Sequence, residues 1–113
     1  MRLVLIDGEP LFGVGLARAL ALSDPAGQVW VHARVDAWWQ QHSEAPGSVD
    51  AVIADAQTLG AQLPAALRDI GQRLPQAARV VAVRDAADLP AELRAAVCTV
   101  HRSLSPEGFV RAI

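Results

Sequence analysis

Short apolar runs of strand type recur along this chain, separated by segments of helical periodicity and by turns, and this alternation limits the fold more than any other feature. Leu3-Val4-Leu5-Ile6 is apolar without a break, as expected of a strand buried on both faces. Pro10 then stands where a helix can begin, and Phe12, Leu16, Ala19 and Leu20 follow at helical spacing. Asp24-Pro25-Ala26-Gly27 ends that helix. Val29-Trp30-Val31-His32-Ala33 reads as a second strand, whose alternation suits an edge.

Asp36 is a cap for a short helix over Ala37 to His42, and Pro46-Gly47-Ser48 is a turn. Ala51-Val52-Ile53-Ala54 is a third strand ending at Asp55, followed by a loop from Ala56 to Gln62. Leu63, Leu67, Ile70 and Leu74 mark one face of a helix that Pro75 stops. Val80-Val81-Ala82-Val83 is a fourth strand, Asp85 to Asp88 a loop, Pro90 to Val97 a short helix and Cys98 to His101 a weak fifth strand. Ser105 caps the last helix, with Pro106 at its first position and Glu107 in its first turn. Strand and helix alternating in this way give an α/β fold with a parallel sheet covered on both faces and right-handed crossovers. The flavodoxin-like, doubly wound order 2-1-3-4-5 is the common solution for five strands.

With 113 residues there is room for one domain and one core. A hydrophobic content of 52% excludes a disordered chain. No apolar run reaches the ~18 residues of a membrane span, and the acid and glycine at Asp7-Gly8 cut short any signal-peptide core. The single cysteine, Cys98, cannot form an internal disulfide, so a reducing, cytoplasmic setting is expected. It reads as a small buried hydrophobe. A net charge of -2 argues against the domain gripping nucleic acid by itself. There is no lysine, so Gly8 to Gly15 is not a phosphate-binding loop, and Gly13 and Gly15 either allow close helix packing or merely lower helix propensity. His32, His42, His101 and Cys98 lack metal-ligand spacing. Trp38 and Trp39 are neighbours about 100° apart on a predicted helix, so only one of them can face the core fully.

In open parallel sheets, sites form beyond the carboxyl ends of the strands. Those ends carry Asp7, Asp55, Arg84 and Arg102 on strands 1, 3, 4 and 5. In the order 2-1-3-4-5 this is a row of two acids, then two bases. Adjacent carboxylates repel unless a cation joins them. A hard metal such as Mg²⁺ or an arginine serves, and Arg84, one strand from Asp55, is expected to pair with it.

Three blocks carry a family likeness: Leu5-Ile6-Asp7-Gly8-Glu9-Pro10-Leu11-Phe12, Asp50-Ala51-Val52-Ile53-Ala54-Asp55 and Ser103-Leu104-Ser105-Pro106-Glu107. Together they resemble the receiver domains of bacterial two-component response regulators, a CheY-like fold, and most closely those that precede a helix-turn-helix output domain. The resemblance spans 1–113 as a single receiver domain. It implies a DNA-binding domain beyond Ile113, a histidine-kinase partner, a homodimer, and no catalysis beyond accepting a phosphoryl group. It also implies Asp55 as phosphoacceptor, with Asp7, Asp55 and the backbone carbonyl of Gln57 as Mg²⁺ ligands.

The departures cluster at the site. Gly8 replaces the second acid of the pair, Arg84 the Thr or Ser after strand 4, Arg102 the lysine after strand 5, and Thr99 the aromatic three residues before it. Without the carboxylate at position 8 the metal site is weakened, so Mg²⁺ is expected to bind weakly or not at all. Arginine is also no simple substitute for lysine. The preferred reading is a degenerate receiver, a regulatory and interaction module in signal transduction and transcription control that works without phosphorylation. A phospho-accepting receiver with altered metal dependence and an unrelated small-ligand binder stay open.

Overall fold

β1 (Arg2–Ile6), β2 (Gln28–His32), β3 (Ala51–Asp55), β4 (Ala78–Val83) and β5 (Cys98–His101) hydrogen-bond into one parallel sheet in the order β2-β1-β3-β4-β5. The protein is described here from a computed structural model that covers residues 1–34, 49–94, 97–101 and 104–112. The expected helix over Ala37 to His42, Trp38, Trp39, the turn at Pro46 and Arg102 lie outside the described residues.

The apolar runs supply both faces of the sheet because successive side chains point to opposite sides. Leu3, Leu5 and Ile53 meet Leu16 and Leu20 of α1 (Pro10–Ser23) and Phe109 of the last helix, Pro106–Ala112. Val4, Ile6, Val52 and Val81 meet the opposite layer, built from Leu59 and from Leu63, Leu67 and Ile70 of the helix Leu63–Arg73, with Leu74 beside them. The predicted stripe thus faces the sheet, and β3, buried at all five positions, is its centre. Across the first layer Phe12 and Phe109 meet edge to face, with ring centroids 5.2 Å apart. Gly13 lets α1 sit close on β2, as expected of a close-packing glycine.

Three local expectations are corrected. The segment read as a loop from Ala56 to Gln62 is a short helix, α2 (Ala56–Leu59), followed by a 3₁₀ turn (Gly60–Gln62). The Asp55 carboxylate caps it by accepting from the Thr58 N–H, and Gly60 ends it with φ of +53°, a conformation open to glycine. The helix Leu63–Arg73 is therefore α3, and Pro106–Ala112 is α4. Of the helix expected over Pro90 to Val97, residues 95 and 96 lie outside the described residues, and the described part holds a 3₁₀ turn (Ala91–Leu93) with i to i+3 bonds from Leu93 N to Pro90 O and Arg94 N to Ala91 O, at 3.0 and 3.3 Å. Cys98 is exposed rather than buried: it opens β5, an edge strand in which Val100 is the one buried residue. The Ser105 cap is as expected: its Oγ accepts from Gly108 N at 3.1 Å.

Candidate functional site

The pairing of Ile6 with Ala54 across β1 and β3 puts Asp7 and Asp55 side by side at the carboxyl end of the sheet. Adjacent strands are about 4.8 Å apart, so the two carboxyl groups share one locality. Both residues are 2% exposed. Asp7 is fixed by one further rung of the ladder, its N–H donating to His32 O at 2.9 Å. Its Oδ1 accepts from Glu9 N at 2.8 Å, a local side-chain turn that steers the chain into α1.

Asp55 Oδ2 accepts two hydrogen bonds from one residue, Thr58 N at 2.9 Å and Thr58 Oγ1 at 2.7 Å. Thr58 Oγ1 in turn accepts from Gly8 N at 3.1 Å. The hydroxyl therefore ties the end of β3 to the loop after β1. Gln57, whose backbone carbonyl the resemblance makes a metal ligand, lies in the first turn of α2 with its side chain exposed.

Arg84 follows β4 on the same end of the sheet. Its backbone N–H and that of Asp85 both donate to Asp88 Oδ2 at 3.1 Å, and Ala87 N donates to Asp85 Oδ1 at 3.0 Å, so the loop after β4 holds itself in a tight turn. The expected pairing of Arg84 with Asp55 is corrected: among the described residues the guanidinium pairs with Glu9. The physical reason is reach and desolvation. Glu9 is 60% exposed and extends from the loop after β1, whereas Asp55 is buried and already bonded to Thr58. A half-exposed guanidinium keeps more of its hydration beside the former.

Of the row expected from the sequence, Asp7, Asp55 and Arg84 share one end of the sheet, and Arg102 is outside the described residues. Thr58 was not legible as a site residue because its segment reads as a loop. The signal was there in Asp55-Ala56-Gln57-Thr58, an acid directly after a strand and three residues before a hydroxyl.

The residues present do not fit a divalent cation well. Position 8 offers no carboxylate, Glu9 is turned to Arg84, and a hydroxyl and an N–H point at Asp55 Oδ2. Among the described residues no group of three or more His, Cys, Asp or Glu side chains is placed to hold a metal ion.

No protein-family model and no curated protein matches the chain. Solved structures do. A response regulator receiver domain protein from Clostridium thermocellum superposes with a TM-score of 0.77 at 16% identity, over 98% of this chain and 89% of that one. A response regulator from Thermotoga maritima gives 0.76 at 12% identity, over 97% and 91%. An orphan response regulator of H. pylori gives 0.73 at 13% identity, over 98% and 91%. At such identities the likeness is one of architecture, and the architecture is the CheY-like fold of response-regulator receiver domains.

Proposed function

We propose that this chain is a signalling module of the receiver type whose switch site works without a phosphoryl group. The observation that carries the reading is the Arg84–Glu9 ion pair, which joins the loops after β4 and β1 at the sheet end where Asp55 lies. In the family the chain resembles, the residue at position 84 is a small hydroxyl that follows the phosphoryl group. Here it is a long cation already engaged.

Phosphoryl transfer needs charge neutralised on the equatorial oxygens and an aligned, reachable nucleophile. Asp55 is 2% exposed and the ligand set for Mg²⁺ is one acid short, so both requirements are poorly met. The module then acts through its surface. It serves in signal transduction in the cytoplasm as a homodimer, with a DNA-binding domain beyond Ile113 as its route to transcription. A histidine kinase is its ancestral partner rather than its operating one. Arg102, at the position of the family's lysine, belongs to the same altered set.

The test is labelling of Asp55 by acetyl phosphate with millimolar Mg²⁺, read by mass spectrometry. Wild type, Gly8→Asp and Arg84→Thr are compared with the double variant. Gly8→Asp adds a ligand but leaves Arg84 in place, and Arg84→Thr returns a hydroxyl but leaves the metal site short of an acid. Each single variant should therefore be labelled slowly or not at all and the double variant faster, a strongly non-additive pattern. Wild type labelled as fast as the double variant overturns the reading in favour of a phospho-accepting receiver on Asp55.

A further inference from the structure

The direction of every hydrogen bond through Thr58 is settled by the chemistry of its neighbours. A backbone N–H can only donate, so Thr58 Oγ1 is the acceptor of the 3.1 Å bond from Gly8 N. A carboxylate can only accept, so the hydroxyl proton lies on the 2.7 Å line to Asp55 Oδ2. The three groups form one polarised chain, from Gly8 N–H through the Thr58 hydroxyl to Asp55. Bonds aligned in this way strengthen one another, and a bond to a charged acceptor is among the stronger kinds. The Thr58 N–H adds a second donor to the same oxygen at 2.9 Å.

This chain joins segments 50 residues apart in sequence, the loop after β1 and the end of β3. In the family the sequence resembles, a divalent cation joins these same segments through acidic side chains. Position 8 has lost its acid, yet the segments are still joined. Gly8 is not required by a lack of space, since a β-carbon there would lie 3.6 Å from Thr58 Oγ1, an ordinary contact. What lies beside position 8 is the hydroxyl.

We infer that Thr58 is the specificity-determining residue of this site: its hydroxyl takes the bridging place of the cation and selects against one. The inference rests on the reading of the site as phosphate-independent and names the group that makes it so. A hard cation has to take an electron pair of Asp55 at about 2.0–2.1 Å for Mg²⁺, with near-octahedral order. Asp55 Oδ2 meets it with two proton donors already aimed at that oxygen. A cation that binds through Oδ2 must displace the hydroxyl and cut the link to Gly8, and it gains no carboxylate from position 8 in return.

The experiment compares wild type, Thr58→Ala and Thr58→Ser, each checked for folding by urea denaturation. Alanine keeps the backbone N–H bond to Asp55 and removes the hydroxyl; serine keeps both. Gly8 amide exchange is followed by NMR, and Mg²⁺ affinity by titration calorimetry with the metal salt alone. The Gly8 amide should exchange at least about tenfold faster in Thr58→Ala and stay protected in Thr58→Ser. Mg²⁺ should bind Thr58→Ala about tenfold more tightly than wild type or Thr58→Ser. Equal Mg²⁺ affinities in the three chains, or an unchanged Gly8 exchange rate in Thr58→Ala, overturn the assignment. If the alanine chain does not fold, Thr58→Val has the threonine shape without the hydroxyl, and its Gly8 exchange rate decides the question. Labelling of wild-type Asp55 by acetyl phosphate as fast as that of the Gly8→Asp, Arg84→Thr double variant ends the phosphate-independent reading. Equal Mg²⁺ affinities with Asp55 unlabelled end the role of Thr58 alone.

Discussion

Gly13 of α1 faces Val31 of β2 so closely that a β-carbon at position 13 would lie 2.5 Å from Val31 Cγ2. Two effects of Gly13→Ala oppose each other. Alanine is favoured over glycine inside a helix by about 1 kcal/mol. Against that, the new methyl meets a β-branched side chain with few alternative rotamers, and Leu5 Cδ2 lies 3.5 Å away on the other side. Overpacking of this kind costs about 1–3 kcal/mol. The clash should win, and urea denaturation should show Gly13→Ala less stable than wild type. In a Val31→Ala background the same substitution should become neutral or stabilising, because only the helix preference is left.

Leu67 is 2% exposed and lies in the layer between α3 and the sheet. Leu67→Ala should destabilise the domain by about 2–5 kcal/mol through lost burial and a residual cavity. Two residues along the same helix, Asp69 bonds Arg73 at 3.2 Å, with the two side chains 39% and 51% exposed. Asp69→Ala should change stability by less than about 0.5 kcal/mol, since exposed i,i+4 pairs contribute little. Equilibrium unfolding of both variants checks the orientation of α3. Similar losses at the two positions would mean that the helix is turned.

The parallel strands and the core stripe of α3 were legible because their apolar patterns run along whole elements, and the sheet order followed as the common solution for five such strands. Leu3 to Ile6 and Ala51 to Ala54 are apolar at every position, and only a strand covered on both faces needs that. The short elements were not. α2 depends on a single cap from Asp55 to the Thr58 N–H, and the turn Ala91–Leu93 depends on two i to i+3 bonds; neither leaves a period long enough to see. In the site, strand ends located Asp7, Asp55 and Arg84. The partner of Arg84 depended on how far the loop after β1 carries Glu9 outward, which no spacing encodes.

Asp24 accepts a hydrogen bond from the amino terminus of Met1, and this bond, ahead of the attraction of the ammonium charge, lowers its pKa from the ordinary 3.8. A carboxyl with a lower pKa in the folded than in the unfolded chain adds stability above the unfolded value and loses it as the pH falls through the folded one. Asp24→Asn should therefore be less stable than wild type at neutral pH. The difference should shrink as the pH is lowered from about 6 to about 2. Urea midpoints across that range measure it, and a difference that stays constant would show that the pair does not act through ionisation.

Glu9 and Arg84 join two loops, but their side chains are 60% and 43% exposed, so the pair should contribute geometry more than stability. Exposed ion pairs contribute about 0.2–1 kcal/mol, and salt screens them, with a Debye length of about 3 Å at 1 M against about 30 Å at 0.01 M. A double-mutant cycle with Glu9→Gln and Arg84→Gln isolates the coupling from the separate effects of each change. Unfolding by urea, which leaves ionic strength free to vary, should give a coupling below about 1 kcal/mol at low salt and close to zero at 1 M. A coupling above about 2 kcal/mol that persists at high salt would mean that the pair is shielded from solvent. The link between the loops after β1 and β4 would then be a structural element of the domain rather than a surface contact.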